Sequence, residues 1–385
     1  MNNEIAEPFF PKDEYDTRYK RARECMAKRN LNTLLATSLP SYAYFGGHRI
    51  PNMIPNRSRP FIVVVPRDAP PCLVIQVPFA AAAERTSWVK DVHTWSGLPF
   101  RVDSLADCLT RLGLSDSRIG CELGLEDKLG ISYNDFTRLK QLLPKATFED
   151  ASDIFSDLRM IKSERETAKL RQACKTTGEA YSEFFRNAKI GMTEDEIYRM
   201  LYRSMISAGA DNPSFISVKL YPGGISTCPP TSRRAKAGDV VWIDMGATFE
   251  NYQCDFSRNG VFGEPSKEQK QAHQLVVDVT QECVKMVAPG VAVSEVATQC
   301  SKELKLRGIP EKAMGRIGHG IGLDYLELPS VSPTDPTILK EGMTITIEPG
   351  LLDKTAYYVI EQNLAVTSSG HERLSTFPDD LQVIK

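Results

Sequence analysis

No run of eighteen or more apolar residues occurs in this chain of 385 residues, so no segment has the length and hydrophobicity of a membrane-spanning helix. An excess of basic charge is also missing. Lysine and arginine number 47 against 49 aspartates and glutamates, a formal net charge of −2, which argues against a nucleic-acid binder. There is no C-x-x-C pair. The nine cysteines, at 25, 72, 108, 121, 174, 228, 254, 283 and 300, are odd in number and widely scattered. That pattern excludes a disulfide framework or a zinc knuckle and fits reduced thiols packed as small buried hydrophobes. The opening residues, MNNEIAEPFFPKDEY, lack the basic and apolar regions of a signal peptide, and a cytoplasmic location is expected.

The chain is long for one hydrophobic core and suits two domains. Its first third alternates helical and strand patterns. A helix is expected over 14–28, with Tyr15, Tyr19, Ala22 and Met26 on one face, then a strand over 31–36. The proline-rich stretch 39–60 reads as loop. Adjacent strands are expected at 61–65 and 72–76, a helix over 77–86, a strand at 118–122 and a helix over 134–143. Ser163 followed by Glu166 is a capping-box pattern opening a charged helix. The boundary falls between 148 and 162, giving domains at 1–155 and 156–385.

The second domain carries an internal repeat. Gly191-Met-Thr193 and Gly290-Val-Ala each precede a helical pattern. Gly238-Asp-Val-Val-Trp-Ile-Asp244 and Gly342-Met-Thr-Ile-Thr-Ile-Glu348 match in shape at an offset of 104. Asp255 and Glu361 follow at an offset of 106. Two helix-plus-hairpin units, each delivering two carboxylates, imply an α+β domain with a pseudo-twofold axis and a site upon it.

Aspartate and glutamate are disfavoured in strands. Asp244 and Glu348 nevertheless end apolar runs that should be buried, with no basic residue obvious beside either. A cation is the simplest way to hold such carboxylates. His319, in R-I-G-H-G-I-G-L, is framed by glycines that let the backbone approach closely. Four carboxylates and one imidazole, without thiolate, suit manganese, iron, cobalt or zinc in an open catalytic site. Four anionic ligands overcharge one dication, so two divalent ions are expected, with manganese favoured.

These motifs, I-D-M-G with a second aspartate eleven residues on, G-H-G-I-G-L, I-E-P-G and I-E-Q-N, resemble the family containing methionine aminopeptidase, Xaa-Pro aminopeptidase, prolidase and creatinase. E-Y-x-x-R, L-L-A-T-S-L-P-S-Y-A-Y-F-G-G and the segment at 158–166 resemble that family's creatinase-type N-terminal domain and linker. The resemblance implies a pita-bread C-terminal domain after an α/β N-terminal domain. It implies Asp255 and Glu361 bridging two metals, Asp244 on one, His319 and Glu348 on the other, and Glu348 as general base. A homodimer is implied too, with the N-terminal domain of one subunit near its partner's site.

The pattern departs from the peptidases in two places. They carry a histidine about seventeen residues before the first aspartate, where this chain has Thr227 and Cys228. They carry another in H-G-I-G-L-x-x-H-E-x-P, where this chain has Leu326 beside Tyr325 and Asp324. Leucine neither shuttles a proton nor positions an amide. The expectation is therefore an enzyme on a small non-peptide or atypical substrate, hydrolysing a C–N bond. Elimination in the manner of dimethylsulfoniopropionate lyase, Xaa-Pro peptide hydrolysis, and a non-catalytic binding module are the alternatives. Thr227, Tyr325, Leu326 and His48 are the candidate substrate contacts, and Arg57 or Arg59 in the His48 loop would suit a substrate carboxylate.

Overall fold

A computed structural model describes residues 8–48, 58–224, 228–309 and 315–385. The chain divides into two compact units, Met1–Arg159 and Met160–Lys385.

The first unit is built on a six-stranded mixed sheet. Its strands run in the order Asp91–Trp95, Cys72–Gln76, Ile62–Pro66, Thr33–Ala36, Arg118–Cys121, Thr147–Asp150. The central strands are buried on both faces, which is why 33–36 and 62–65 read as unbroken apolar runs rather than alternating ones. The helix Lys12–Lys28 buries Tyr15, Tyr19, Ala22 and Met26, the face its periodicity predicts. The stretch expected to be loop instead contains the helix Leu39–Gly46. Ser38 caps it through Ser41 N and proline occupies its first turn, so the proline there starts a helix rather than breaking one. Glu122 holds this junction. Buried, it accepts hydrogen bonds from Thr37 N at 2.6 Å, Ser38 N at 2.8 Å and Ser38 Oγ at 2.5 Å.

The second unit repeats one pattern twice. Helices Glu164–Asn187 and Glu194–Ser207 precede a sheet ordered Gln382–Ile384, Phe256–Phe262, Val240–Phe249, Asn212–Tyr221. Helices Lys267–Lys285 and Val293–Leu306 precede a sheet ordered Glu327–Ser330, His319–Gly320, Thr344–Ile347, Gln362–Val366, His371–Arg373. Equivalent hydrogen bonds make the symmetry explicit. Gly191 N donates to Ala235 O and Gly290 N to Leu339 O, both at 2.9 Å. Ser163 and Thr193 form full capping boxes with Glu166 and Glu196, whereas the symmetry-related Ala292 has no side chain to cap its helix. A hairpin, Gly350–Leu352 with Tyr357–Val359, stands apart from both sheets.

One buried ion pair pins the start of this unit to the strand Glu327–Ser330. Lys162 Nζ lies 2.9 Å from Glu327 Oε2, with side-chain exposures of 1% and 4%. Lys162 N also donates to Gly342 O at 2.8 Å. Among the described residues no helix is long and apolar enough to cross a membrane. All nine cysteines are free thiols, and seven of them are buried.

Candidate metal centre

Each half of the repeat contributes a strand and a return strand to one cluster. Asp244 lies in Val240–Phe249 opposite Ser257, and Asp255 immediately precedes Phe256–Phe262. Glu348 follows Thr344–Ile347, and Glu361 precedes Gln362–Val366. Ligand atoms of Asp255, His319 and Glu361 lie within 4.8 Å of one another, and all three residues are buried. Asp244 and Glu348 are partly buried, Glu348 with 28% of its side chain exposed.

The glycines beside His319 are there for close packing. A Cβ at position 318 would sit 2.1 Å from Thr346 O, and one at position 320 would sit 2.1 Å from Leu328 O. Only glycine admits these approaches, and they seat His319 between its two neighbouring strands. The imidazole Nδ1–H donates to Gly320 O at 2.9 Å. That bond leaves the Nε2 lone pair facing Asp255 Oδ2 and Glu348 Oε1, each 3.5 Å away.

A lone pair facing two carboxylates is repulsive unless a cation lies between them. The same need appears in three further atoms. Asp244 Oδ1, Asp255 Oδ1 and Glu361 Oε1 are buried without a hydrogen-bond partner. Burial first, then the neighbouring carboxylates, push Asp244, Asp255 and Glu361 well above the ordinary carboxylate range. Glu348 is raised by burial and by Asp244, while burial lowers His319. This oxygen-and-imidazole donor set fits hard or borderline divalent ions, and it lacks the thiolates of a structural zinc site.

A pH dependence follows for protein stripped of metal by chelator. A carboxylate with a raised folded-state pKa stabilises the fold below its unfolded value, near pH 4, and that stability is lost as pH rises through the raised value. All four carboxylates, Asp244, Asp255, Glu348 and Glu361, act in this sense. His319, shifted down, acts oppositely, losing stability as pH falls. The melting temperature of chelated protein should therefore drop between roughly pH 5 and 8, and added Mn²⁺ should flatten the drop. A chelated protein equally stable across that range would refute this account.

Sequence reasoning missed the groups that hold these candidate ligands in place. Arg258, fully buried, donates through Nη1 to Glu361 O at 2.7 Å and Ser257 O at 2.8 Å. It also reaches Pro378 O and Phe377 O, each at 2.9 Å, and pairs with Asp379 at 3.2 Å. It is a buried base beside the cluster, yet it serves backbone carbonyls rather than the orphaned carboxylate oxygens. Asn363, also buried, accepts from Asp255 N at 3.1 Å and donates back to Asp255 O. Tyr181 Oη joins the two aspartate-bearing strands by donating to Ile243 O or Phe256 O, at 3.1 and 2.8 Å. The only local hint was the D-x-x-R spacing of Asp255 and Arg258.

Other predicted contacts are placed differently. Tyr325 is half-buried with its ring 5.4 Å from that of Phe215, and Leu326 follows it in the same turn. Thr227, Arg49 and Arg57 lie outside the described residues. Cys228 is exposed. His48 is buried within the first unit, its Nδ1 2.7 Å from Thr86 Oγ1 and its ring edge-on to Tyr42. The other three histidines are accounted for as well. His93 bonds Ser104, His371 bonds Val287 O, and His273 packs on Tyr358.

Residues 168–368 match the profile of metallopeptidase family M24, and residues 18–161 match that of the creatinase/prolidase N-terminal domain. This chain belongs to metallopeptidase family M24. Its relatives include the Xaa-Pro dipeptidase of Pyrococcus horikoshii, 32% identical over 66% of this chain and 72% of that one. The crystal structure of prolidase from Pyrococcus horikoshii superposes with a TM-score of 0.81 at 25% identity, over 94% of this chain and 99% of that one. An X-Pro aminopeptidase from Thermotoga maritima gives the same score and identity over 95% and 99%. The fold is the pita-bread fold with a creatinase-type N-terminal domain. As an M24 member the chain is a metal-dependent hydrolase, and the comparisons lend elimination no support.

Proposed function

We propose that this enzyme hydrolyses an amide C–N bond in a small substrate, with Xaa-Pro dipeptides as the first class to test. Asp244, Asp255, His319, Glu348 and Glu361 would hold two divalent ions, manganese first among the candidates. The observation that carries the reading is the convergence of three orphaned carboxylate oxygens with the His319 Nε2 lone pair. The dipeptidase names of the relatives support the substrate class.

Bound divalent ions supply Lewis acidity and make a water-derived nucleophile available at neutral pH. The chain supplies the rest. Asp255 and Glu361, buried and fixed by Asn363 and Arg258, would be the shared ligands, with Asp244 on one side and His319 and Glu348 on the other. Glu348 is accessible, and its raised pKa suits it to take a proton from the attacking water and return it to the leaving nitrogen.

A second reading, a non-peptide amide or amidine, is favoured by one observation. Four of the five histidines are committed elsewhere, and Leu326 stands where peptidases carry an imidazole.

Elemental mass spectrometry should find about one to two equivalents of transition metal per wild-type chain, lost in Glu348→Ala. Product masses from Xaa-Pro dipeptides, betaines and cyclic amidines then separate the two readings. A wild-type chain that takes up no metal after reconstitution with Mn²⁺ or Fe²⁺ defeats both.

A further inference from the structure

An aromatic corner, Trp242 with Tyr357, adjoins the metal centre. Trp242 precedes Asp244 by two positions in Val240–Phe249, so both side chains leave the same face of that strand. The indole is buried, and its Nε1 has no hydrogen-bond partner. Tyr357 lies against it, with ring centroids 5.4 Å apart and planes tilted by 59°.

Tyr357 begins the return strand of the hairpin that leaves the Glu348-Pro349-Gly350 turn. Asn259 clamps that strand to the aspartate-bearing sheet. Its Nδ2 donates to Tyr357 O at 3.0 Å, and its Oδ1 accepts from Val359 N at 2.9 Å. The tyrosine hydroxyl is thereby brought to the turn itself. A Cβ at position 350 would stand only 2.8 Å from Tyr357 Oη, so the room left by the missing side chain of Gly350 is filled by the phenol, two residues from Glu348.

The residue is half-buried, open enough to meet a ligand, and its hydroxyl makes no hydrogen bond to another described residue. Burial, with Glu348 and Asp244 adding to it, pushes the phenol's pKa up, so it stays protonated and can donate. The candidate ligands at the centre are carboxylates and an imidazole whose free nitrogen carries a lone pair, with the Arg316 charge and the Ser257 hydroxyl as neighbours. A neutral donor that is bonded to none of those carboxylates is available to an oxygen that gains negative charge during the reaction.

We propose that Tyr357 contacts substrate directly, its hydroxyl donating a hydrogen bond to the carbonyl oxygen of the bond being hydrolysed, while Trp242 holds the ring in place. This rests on the hydrolase reading above. Because the bond tightens as the carbonyl oxygen becomes anionic, its loss should appear in kcat rather than KM.

The test is Tyr357→Phe, which keeps the ring on Trp242 and removes only the hydroxyl. With metal content equal to wild type, kcat on the best substrate of the panel should fall about 10²-fold with KM nearly unchanged. Calorimetric affinity for a phosphinic analogue of alanyl-proline, a tetrahedral oxyanion mimic, should weaken by a similar factor, while affinity for L-proline stays the same. If wild type hydrolyses the substrate and Tyr357→Phe matches it in kcat, this proposal alone falls. A raised KM with unchanged kcat also overturns it, since the hydroxyl would then bind a non-reacting part of the substrate. If wild type hydrolyses nothing in the panel, the hydrolase reading fails and takes this proposal with it.

Discussion

Asp255→Asn is expected to lower kcat/KM by at least about 10³-fold, on the order of 4 kcal/mol of transition-state stabilisation, and to reduce bound metal. The substitution keeps the size of the side chain. It removes one of three charges that converge on a space where Asp244 Oδ1, Asp255 Oδ1 and Glu361 Oε1 have no hydrogen-bond donor. The same change should stabilise the chelated protein at neutral pH, because the carboxylate it removes is buried and resists ionisation beside Glu348. Opposite effects on activity and on metal-free stability mark a charge kept for a cation rather than for the fold. Steady-state kinetics, elemental analysis and thermal melts in EDTA measure all three quantities. A variant with wild-type metal content and turnover would remove Asp255 from the ligand set.

Arg258→Ala should cost about 3–5 kcal/mol of unfolding free energy, read from urea denaturation of chelated protein. The guanidinium is buried with no exposed surface. Its loss leaves Asp379 short of a partner and strips donors from the carbonyls of Ser257, Glu361, Phe377 and Pro378. Arg258→Lys should recover little, since one ammonium cannot span acceptors that a planar fork of donors reaches together. Because Glu361 O is among those acceptors, metal affinity should fall 10- to 100-fold in whichever variant still folds. A lysine variant with wild-type stability and metal affinity would show that charge alone matters at this position.

Much of the fold was legible in local patterns. The helix Lys12–Lys28, the antiparallel strands Ile62–Pro66 and Cys72–Gln76, and the capping box at Ser163 follow from apolar periodicity and side-chain chemistry that act within a few residues. Misses came where one signal has two meanings. Pro40 reads as a loop residue in isolation but sits in the first turn of Leu39–Gly46. The strands Asp91–Trp95 and Thr147–Asp150 are partly exposed edge strands, too short and too polar to announce themselves.

By itself, the sequence determined which residues could be ligands. Carboxylates at the ends of apolar runs, a histidine between glycines and an internal repeat are all local or periodic features, and burial without a partner is costly wherever the strands end up. Only the tertiary structure decided which groups support those candidates. Arg258 meets Glu361 across 103 positions, Asn363 meets Asp255 across 108, and Tyr357 reaches Trp242 from the other half of the repeat. Folding likewise commits His48, His93, His273 and His371 elsewhere and leaves His319 as the imidazole of the cluster. Such pairings depend on how two sheets close on one another, and no short-range pattern of residues encodes that geometry.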